Sequence, residues 1–186
     1  MELSAGPVIA RRYRLSGRVQ GLGVRPAIAR LAGQLGLAGR VWNDVSGVTI
    51  VVEGPHAALN TFDETLGHSL PGPTFIERLE RSHEVAAGFG EFVVVEQPED
   101  SGRPTPLRVP LPLDRGVCDD CLRELDDPAD RRFRYPFTHC AVCGPRYSIL
   151  TAMPYERRFS SMAVFPMCTA CQSEHDSAHP ASERAT

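Results

Sequence analysis

The sequence predicts an α+β protein in two parts, and three observations support this prediction. Residues 8–97 alternate between strand-like and helix-like spacing of apolar residues and contain no cysteine. All six cysteines follow residue 117, as three pairs whose members are three positions apart. Residues 98–114 between the two parts are rich in proline, which is typical of an extended linker. We therefore expect a domain at 1–97, a linker at 98–114, a cysteine-rich segment at 115–174 and a disordered tail at 175–186.

The elements of the first part follow each other in a recognisable order. Residues 8–19 alternate as a strand, and a glycine-rich break at 20–24 precedes a helix that carries Pro26 in its first turn. Gly36 predicts the end of this helix. The pattern then predicts two strands at 38–43 and 48–53, a second helix at 55–66, and two further strands at 74–85 and 91–96. The first six elements have the order β-α-β-β-α-β of ferredoxin-like folds, and the strand at 91–96 follows them. Fold class by itself says nothing about function.

Composition narrows the classes of function. The chain has 186 residues and a formal net charge of -3, so it lacks the basic excess that a nucleic-acid backbone requires. No apolar run approaches the roughly 18 residues of a membrane-spanning helix, and the first residues lack an apolar stretch of signal-peptide length. The sequence therefore predicts a cytosolic protein that binds no membrane and does not have nucleic acid as its default partner.

The glycine-rich break is a candidate anion site. Free backbone N–H groups in such a turn can point at one spot, and the helix that follows adds a positive partial charge. Arg25 offers a guanidinium that can grip two phosphate oxygens at once. The candidate phosphate-binding residues are Gln20, Gly21, Leu22, Gly23, Val24 and Arg25. The alternative is a plain turn beside a solvated arginine, because glycine turns before helices are common.

Two stretches, at 17–25 and at 39–48, resemble the two signature motifs of acylphosphatases, and the resemblance spans most of residues 8–97. It implies that the loop cradles the phosphate of an acyl phosphate, that Arg25 anchors it and that Asn43 orients the attacking water. An acyl phosphate has a good leaving group, so positioning can supply most of the rate. Leu22 and Val24 depart from the usual valine and phenylalanine of the family, but both remain apolar. Without the resemblance, Asn43 would be an ordinary hairpin residue.

The cysteine pairs predict a metal site. The first two pairs, Cys118 with Cys121 and Cys140 with Cys143, can complete a tetrahedral centre that leaves no open position for water. This favours a structural zinc ion, with iron or a cross-paired arrangement as alternatives. Disulfides and a thioredoxin-type redox pair fit less well, given no export signal and proline-rich flanks. A shift of 50 residues relates the first pair to the third, which predicts a second, incomplete unit in which His175 and His179 are possible substitute ligands. The candidate ligands are Cys118, Cys121, Cys140, Cys143, Cys168 and Cys171.

The cysteine segment also carries a resemblance, through the stretches 140–147, 153–157 and 162–168. Together with the first domain it resembles the N-terminal region of the HypF family of carbamoyltransferases, which mature [NiFe]-hydrogenases. The resemblance implies hydrolysis of carbamoyl phosphate, then adenylation of the carbamate and transfer of the carbamoyl group to a HypE-type partner. Only the first step has its residues in this chain. The alternatives are a non-catalytic fragment whose zinc segment docks a maturation partner and, from the arginines at 131–158, a nucleic-acid-binding zinc protein.

Overall fold

The first part of the chain forms a five-stranded mixed sheet. The computed structural model describes residues 7–72, 74–96, 114–140 and 142–176. The elements are β1 (Val8–Arg18), α1 (Val24–Gln34), β2 (Ala38–Asp44), β3 (Gly47–Pro55), α2 (His56–Leu66), β4 (Phe75–Glu84) and β5 (Phe92–Val94). The strand order is β4-β1-β3-β2-β5, in which β5 pairs parallel with β2 and the other neighbours pair antiparallel. The predicted α+β, ferredoxin-like class is confirmed, with β5 added at the edge beside β2.

The core lies between the sheet and the two helices. Tyr13 and Leu15 of β1 are buried against Ile28 of α1 and Phe62 of α2. The rings of Tyr13 and Phe62 have centroids 5.4 Å apart. The Tyr13 hydroxyl donates to Asp63 at 2.6 Å, and burial together with this carboxylate raises the pKa of the phenol. The apolar residues of the alternating strand pattern and those of the helical pattern thus pack together in one layer.

The connection between β1 and α1 is a tight turn that needs its glycines. Gly21 and Gly23 have φ angles of 70° and 71°, in the left-handed region that favours glycine. Helix α1 begins at Val24, so Pro26 lies in its first turn as predicted. Gly36, at φ 63°, follows the last turn of α1. The predicted ends of this helix therefore lie within two residues of its observed ends.

The second part of the chain has little regular structure. Its described residues form two short helices, α3 (Asp119–Asp126) and α4 (Thr169–Asp176), three 3₁₀ turns, and an isolated β-bridge between Leu150 and Ser160. The apolar cluster in this part is small, with Leu150, Met153 and Tyr155 as its buried members. A segment with so little core needs another source of stability, such as a bound metal.

Some predictions fall on residues outside the described ranges. These include residues 98–113 of the expected linker, residues 177–186 of the expected tail, and His179. The backbone of residues 175 and 176 belongs to α4. Within the part of the chain that the structure describes, no helix combines the length and hydropathy needed to cross a membrane.

Candidate active site and four-cysteine cluster

The loop at 20–25, the candidate anion site, joins β1 to the start of α1. The N–H of Ala27 bonds to the carbonyl of Gly23 at 3.1 Å, so amides earlier in the turn have no acceptor within the helix. Together with the helix dipole, these amides favour a negatively charged group. Arg25 is half-buried at the start of α1. Burial lowers the pKa of Arg25, and the negative charges of Glu156 and Glu96 raise it in part. The guanidinium nevertheless stays charged at neutral pH, as arginine does in proteins.

The two loop residues that depart from the acylphosphatase pattern are both buried. Leu22 and Val24 belong to the same core cluster as Tyr13 and Phe62. Their smaller or differently branched side chains therefore still anchor the turn to the domain. The path of the backbone at Gly21 and Gly23 does not depend on the family's usual residues at these positions.

Asn43 lies near the end of β2 and is only 1% exposed. Its Nδ2 donates a hydrogen bond of 2.8 Å to the carbonyl oxygen of Tyr155, far along the chain. Its Oδ1 is buried and has no hydrogen-bond partner among the described residues. A buried amide oxygen without a partner is costly, so such an atom is a candidate binding point for water or substrate.

The Gln20 side chain has a different role from the one that its place in the loop suggests. Its Nε2 donates to the carbonyls of Asp44 and Gly47, each at 2.7 Å, and its Oε1 accepts from the N–H of Tyr155 at 2.7 Å. These bonds join the loop to the β2–β3 hairpin and to the second part of the chain. Gln20 can therefore contribute to an anion site through its main chain, while its amide group holds the surrounding structure together.

Residues from the second part of the chain contact the candidate site. Residues 153–156, which we call the strap, place the Tyr155 peptide between the side chains of Gln20 and Asn43. Gly21 lies so close to Pro145 that a Cβ at this glycine would overlap the proline ring. Sequence reasoning missed this role of the strap, since the stretch at 153–157 indicated only membership of the finger segment.

The strap ends on a buried carboxylate. The side chain of Glu156 is 4% exposed, and its Oε2 accepts a hydrogen bond of 2.7 Å from Nε of Arg158. Its negative charge opposes the lowering of the Arg25 pKa by burial. The candidate site thus combines a cationic cradle, a buried amide and a nearby anion.

Four of the six cysteines form a compact cluster. The sulfur atoms of Cys118, Cys121, Cys140 and Cys143 all lie within 4.8 Å of one another. The Sγ atoms of Cys118 and Cys140 are 3.7 Å apart, and those of Cys140 and Cys143 are 4.0 Å apart. A tetrahedral ion with Zn–S bonds of about 2.3 Å requires sulfur–sulfur distances of about 3.8 Å. The residues present therefore fit a four-thiolate metal site, as their spacing predicts.

The surroundings of the cluster favour a thiolate at one ligand. Burial would raise the pKa of Cys143, but a hydrogen bond from the Cys140 N–H and the guanidinium of Arg146 together lower it to about 7. Burial raises the pKa of Cys121 and Cys140. A bound cation would hold these thiols in the deprotonated form that metal ligation requires.

The third cysteine pair lies apart from this cluster. Cys168 is exposed, Cys171 is half-buried, and Arg131 donates to the sulfur of Cys171 at 3.1 Å. None of the six cysteines forms a disulfide. A second metal site at Cys168 and Cys171 stays a prediction.

Comparison with known families agrees with both parts of the chain. The profile of the acylphosphatase family matches residues 11–94, and that of the HypF finger matches residues 117–150. The chain is 39% identical over 93 residues to an acylphosphatase of Arthrobacter sp. (strain FB24), covering 49% of this chain and 84% of that protein.

Longer matches span both parts. The chain is 41% identical over 158 residues to the carbamoyltransferase HypF2 of Cupriavidus necator, covering 84% of this chain and 19% of that protein. A crystal structure of full-length HypF in the phosphate- and nucleotide-bound form superposes with a TM-score of 0.81 at 38% identity, covering 96% of this chain and 23% of that one. The chain thus spans about a fifth of the length of the HypF relatives it matches.

Proposed function

Because the chain belongs to the acylphosphatase family and joins that domain to a HypF finger, as in the N-terminal region of HypF carbamoyltransferases, we propose that it hydrolyses carbamoyl phosphate to phosphate and carbamate. The observation that carries this proposal is a positively polarised turn ending at Arg25, accompanied by a buried amide oxygen on Asn43 that lacks a partner among the described residues. The relatives are named carbamoyltransferases, which favours a carbamoyl group, and the solved HypF structure is described as phosphate-bound, which fits an anionic substrate.

The phosphoryl group binds first in this mechanism. The amides of the turn and the Arg25 guanidinium hold its oxygens and stabilise the negative charge that is spread over them in the transition state. Binding beside a half-buried arginine strengthens the interaction, because less water screens it. The leaving carboxylate is weakly basic and departs without a general acid.

Asn43 positions the attacking water. Its Nδ2 is held by the Tyr155 carbonyl, so Oδ1 is the atom of the amide that accepts a hydrogen bond from water. The water oxygen then forms a bond to phosphorus while the bond from phosphorus to the bridging oxygen breaks. One water proton is released as phosphate and carbamate form. Fixing water and phosphoryl group in line supplies the rate through orientation.

We also propose that the four-cysteine cluster holds zinc. Cys118, Cys121, Cys140 and Cys143 would be the ligands, and a zinc ion with four thiolates has a structural role, since no position remains open for water. The purified chain should then contain close to one zinc ion. A content near two would indicate that Cys168 and Cys171 find further ligands.

For the longer proteins, we propose that this hydrolysis is the first step of carbamoyl transfer to a HypE-type partner during [NiFe]-hydrogenase maturation. The HypF relatives carry the name carbamoyltransferase, and the residues of this chain account only for the hydrolytic step. We place the activity in the cytoplasm, where reduced cysteines remain available for metal binding.

Phosphate release from carbamoyl phosphate by the purified chain tests the proposal. Arg25→Ala should abolish turnover, and Asn43→Ala should reduce it by about 100-fold or more. Arg14→Ala removes an exposed arginine from β1 and is the matched control. Turnover that persists unchanged in Arg25→Ala would refute the assignment. Absence of turnover in the wild type, together with binding to a maturation partner, would favour a docking role instead.

A further inference from the structure

We propose that Pro145 is a positioning residue for the loop at 20–25, which we call the anion loop, and that it couples this loop to the four-cysteine cluster. A metal ion held by the cysteines would then tighten phosphate binding at the anion loop, and bound phosphate would tighten metal binding. This inference rests on the proposed function, because it concerns the loop proposed to hold the phosphoryl group and the cysteines proposed to hold zinc.

Residues 144 and 145 pack directly against the anion loop. Gly21 lies so close to Pro145 that a Cβ at this glycine would overlap the proline ring. A Cβ at Gly144 would lie 3.7 Å from Cδ2 of Leu22, which is an ordinary contact distance. Leu22 is 1% exposed. Two successive residues of the second part of the chain therefore lie against two successive residues of the anion loop.

The same two residues are attached to the cysteine cluster. Cys143, a candidate metal ligand, directly precedes Gly144, and the N–H of Gly144 donates to the carbonyl of Cys140 at 2.9 Å. On the other side of Pro145, the guanidinium of Arg146 donates to the Sγ and to the carbonyl of Cys143, each at 3.3 Å. Pro145 is thus held from both sides by residues that contact the cluster.

The position of this segment depends on the metal. The buried cluster around these sulfur atoms consists of the four cysteines themselves, with Val117 packed against them. So small an apolar core gives little stability of its own, and bonds from four thiolates to one ion would supply the rest. Without the ion, the sulfur atoms lose their common centre. Residues 143–146 are then less firmly held, and Pro145 no longer stays fixed against Gly21.

A less firmly held anion loop binds phosphate more weakly. Gly21 and Gly23 have left-handed φ angles of 70° and 71°, and glycine has more backbone freedom than any other residue. A loop that is already ordered binds more tightly than one that must become ordered on binding. Because coupling between two binding sites is reciprocal, phosphate must affect metal binding by the same factor.

Calorimetry of phosphate binding to the full chain tests the coupling. Phosphate affinity is measured with zinc bound and after removal of zinc by a chelator under reducing conditions. The zinc-bound chain should bind phosphate at least about fivefold more tightly. Competition with a chromophoric chelator gives the zinc affinity, which saturating phosphate should raise by the same factor. Trp42 fluorescence should show that the first domain is folded in both states.

Substitution of Pro145 tests the route of the coupling. Pro145→Gly removes the ring that contacts Gly21 and leaves all four cysteines in place. This variant should bind as much zinc as the wild type, but removal of zinc should change its phosphate affinity by less than about twofold. Pro128→Gly is the matched control, because Pro128 is exposed in the same part of the chain, and it should keep the wild-type factor. If Pro145→Gly fails to fold, Pro145→Ala, which keeps only the Cβ of the ring, should lower the factor by at least about twofold.

Two outcomes in the wild type would overturn the inference and leave the proposed hydrolysis standing. One is equal phosphate affinity with and without zinc in a chain that hydrolyses carbamoyl phosphate. The other is a chain that hydrolyses carbamoyl phosphate and binds no zinc. Unfolding of the first domain on zinc removal would show that the metal acts on the whole domain rather than on the anion loop, and would also overturn the inference.

The variants give the remaining outcomes. A wild-type coupling factor in Pro145→Gly, or in Pro145→Ala where that variant is used, would refute the role of Pro145. Loss of the factor in Pro128→Gly as well would indicate a general effect of proline in this part of the chain and would contradict the route through the anion loop. Failure of the zinc-bound wild type both to bind phosphate and to hydrolyse carbamoyl phosphate would remove the proposed function and the coupling together.

Discussion

Replacing Gln20 by leucine should damage both stability and catalysis. The Gln20 amide makes hydrogen bonds of 2.7 Å to the Asp44 carbonyl, the Gly47 carbonyl and the Tyr155 N–H. Leucine has a similar size but makes none of these bonds. At about 1 kcal/mol for each net hydrogen bond, and more where a buried group keeps no other partner, we expect Gln20→Leu to lower the free energy of unfolding by about 2–4 kcal/mol.

The same substitution should slow hydrolysis by about tenfold or more. Without Gln20, one side of the Tyr155 peptide is no longer held, and the carbonyl that orients Asn43 can move. Trp42 is the only tryptophan of the chain and is 3% exposed beside Asn43, so its fluorescence reports unfolding of this domain in urea. Phosphate release from carbamoyl phosphate gives the rate.

Gln34→Leu is the matched control, since Gln34 is the exposed last residue of α1. It should change the free energy of unfolding by less than about 0.5 kcal/mol. If Gln20→Leu unfolds within about 0.5 kcal/mol of the wild type and hydrolyses carbamoyl phosphate at the wild-type rate, the reasoning about the Tyr155 peptide is refuted.

Three further substitutions test other parts of the account. Gly21→Ala places a Cβ on a left-handed residue against Pro145, so phosphate affinity measured by calorimetry should fall by about tenfold, and unchanged affinity would contradict the cradle. Phe62→Ala should cost about 3–5 kcal/mol in urea unfolding, while a loss below about 1 kcal/mol would show that the core is packed differently. Burial tends to raise the pKa of Asp114, but hydrogen bonds from Ser148 and from the Tyr147 backbone outweigh it, so the pKa in the folded state is lowered. Asp114 therefore stabilises the fold above its unfolded pKa of about 3.9, and this stabilisation is lost as the pH falls through the pKa of the folded state. The difference in melting temperature between wild type and Asp114→Asn should therefore shrink from pH 6 to pH 3, and a constant difference would contradict it.

The elements of the first domain could be predicted because they depend on local patterns. The strand expected at 74–85 is observed as Phe75–Glu84, and the strand expected at 91–96 as Phe92–Val94. Alternation and helical spacing determine which face of each element is apolar, and turn residues mark where elements end. The cysteine cluster could be predicted in the same way, because two pairs of cysteines whose members are three positions apart can hold one tetrahedral ion.

The remainder of the site could not be predicted from the sequence. Asn43 and Tyr155 are 112 positions apart, and Gln20 and Tyr155 are 135 apart. Contacts of this kind arise from the packing of two separate parts, for which no local spacing gives a signal. Glu156 likewise has the sequence context of an ordinary surface residue beside two arginines, and only the fold shows that it is buried while paired with Arg158.

A crystal structure of the chain with bound phosphate tests the central claim most directly. The account predicts a phosphate on the amides of residues 21–25, with two of its oxygens on the Arg25 guanidinium and a water held by Asn43 Oδ1. Phosphate bound elsewhere while this turn stays empty, or an Arg25 side chain directed away from the bound anion, would contradict it.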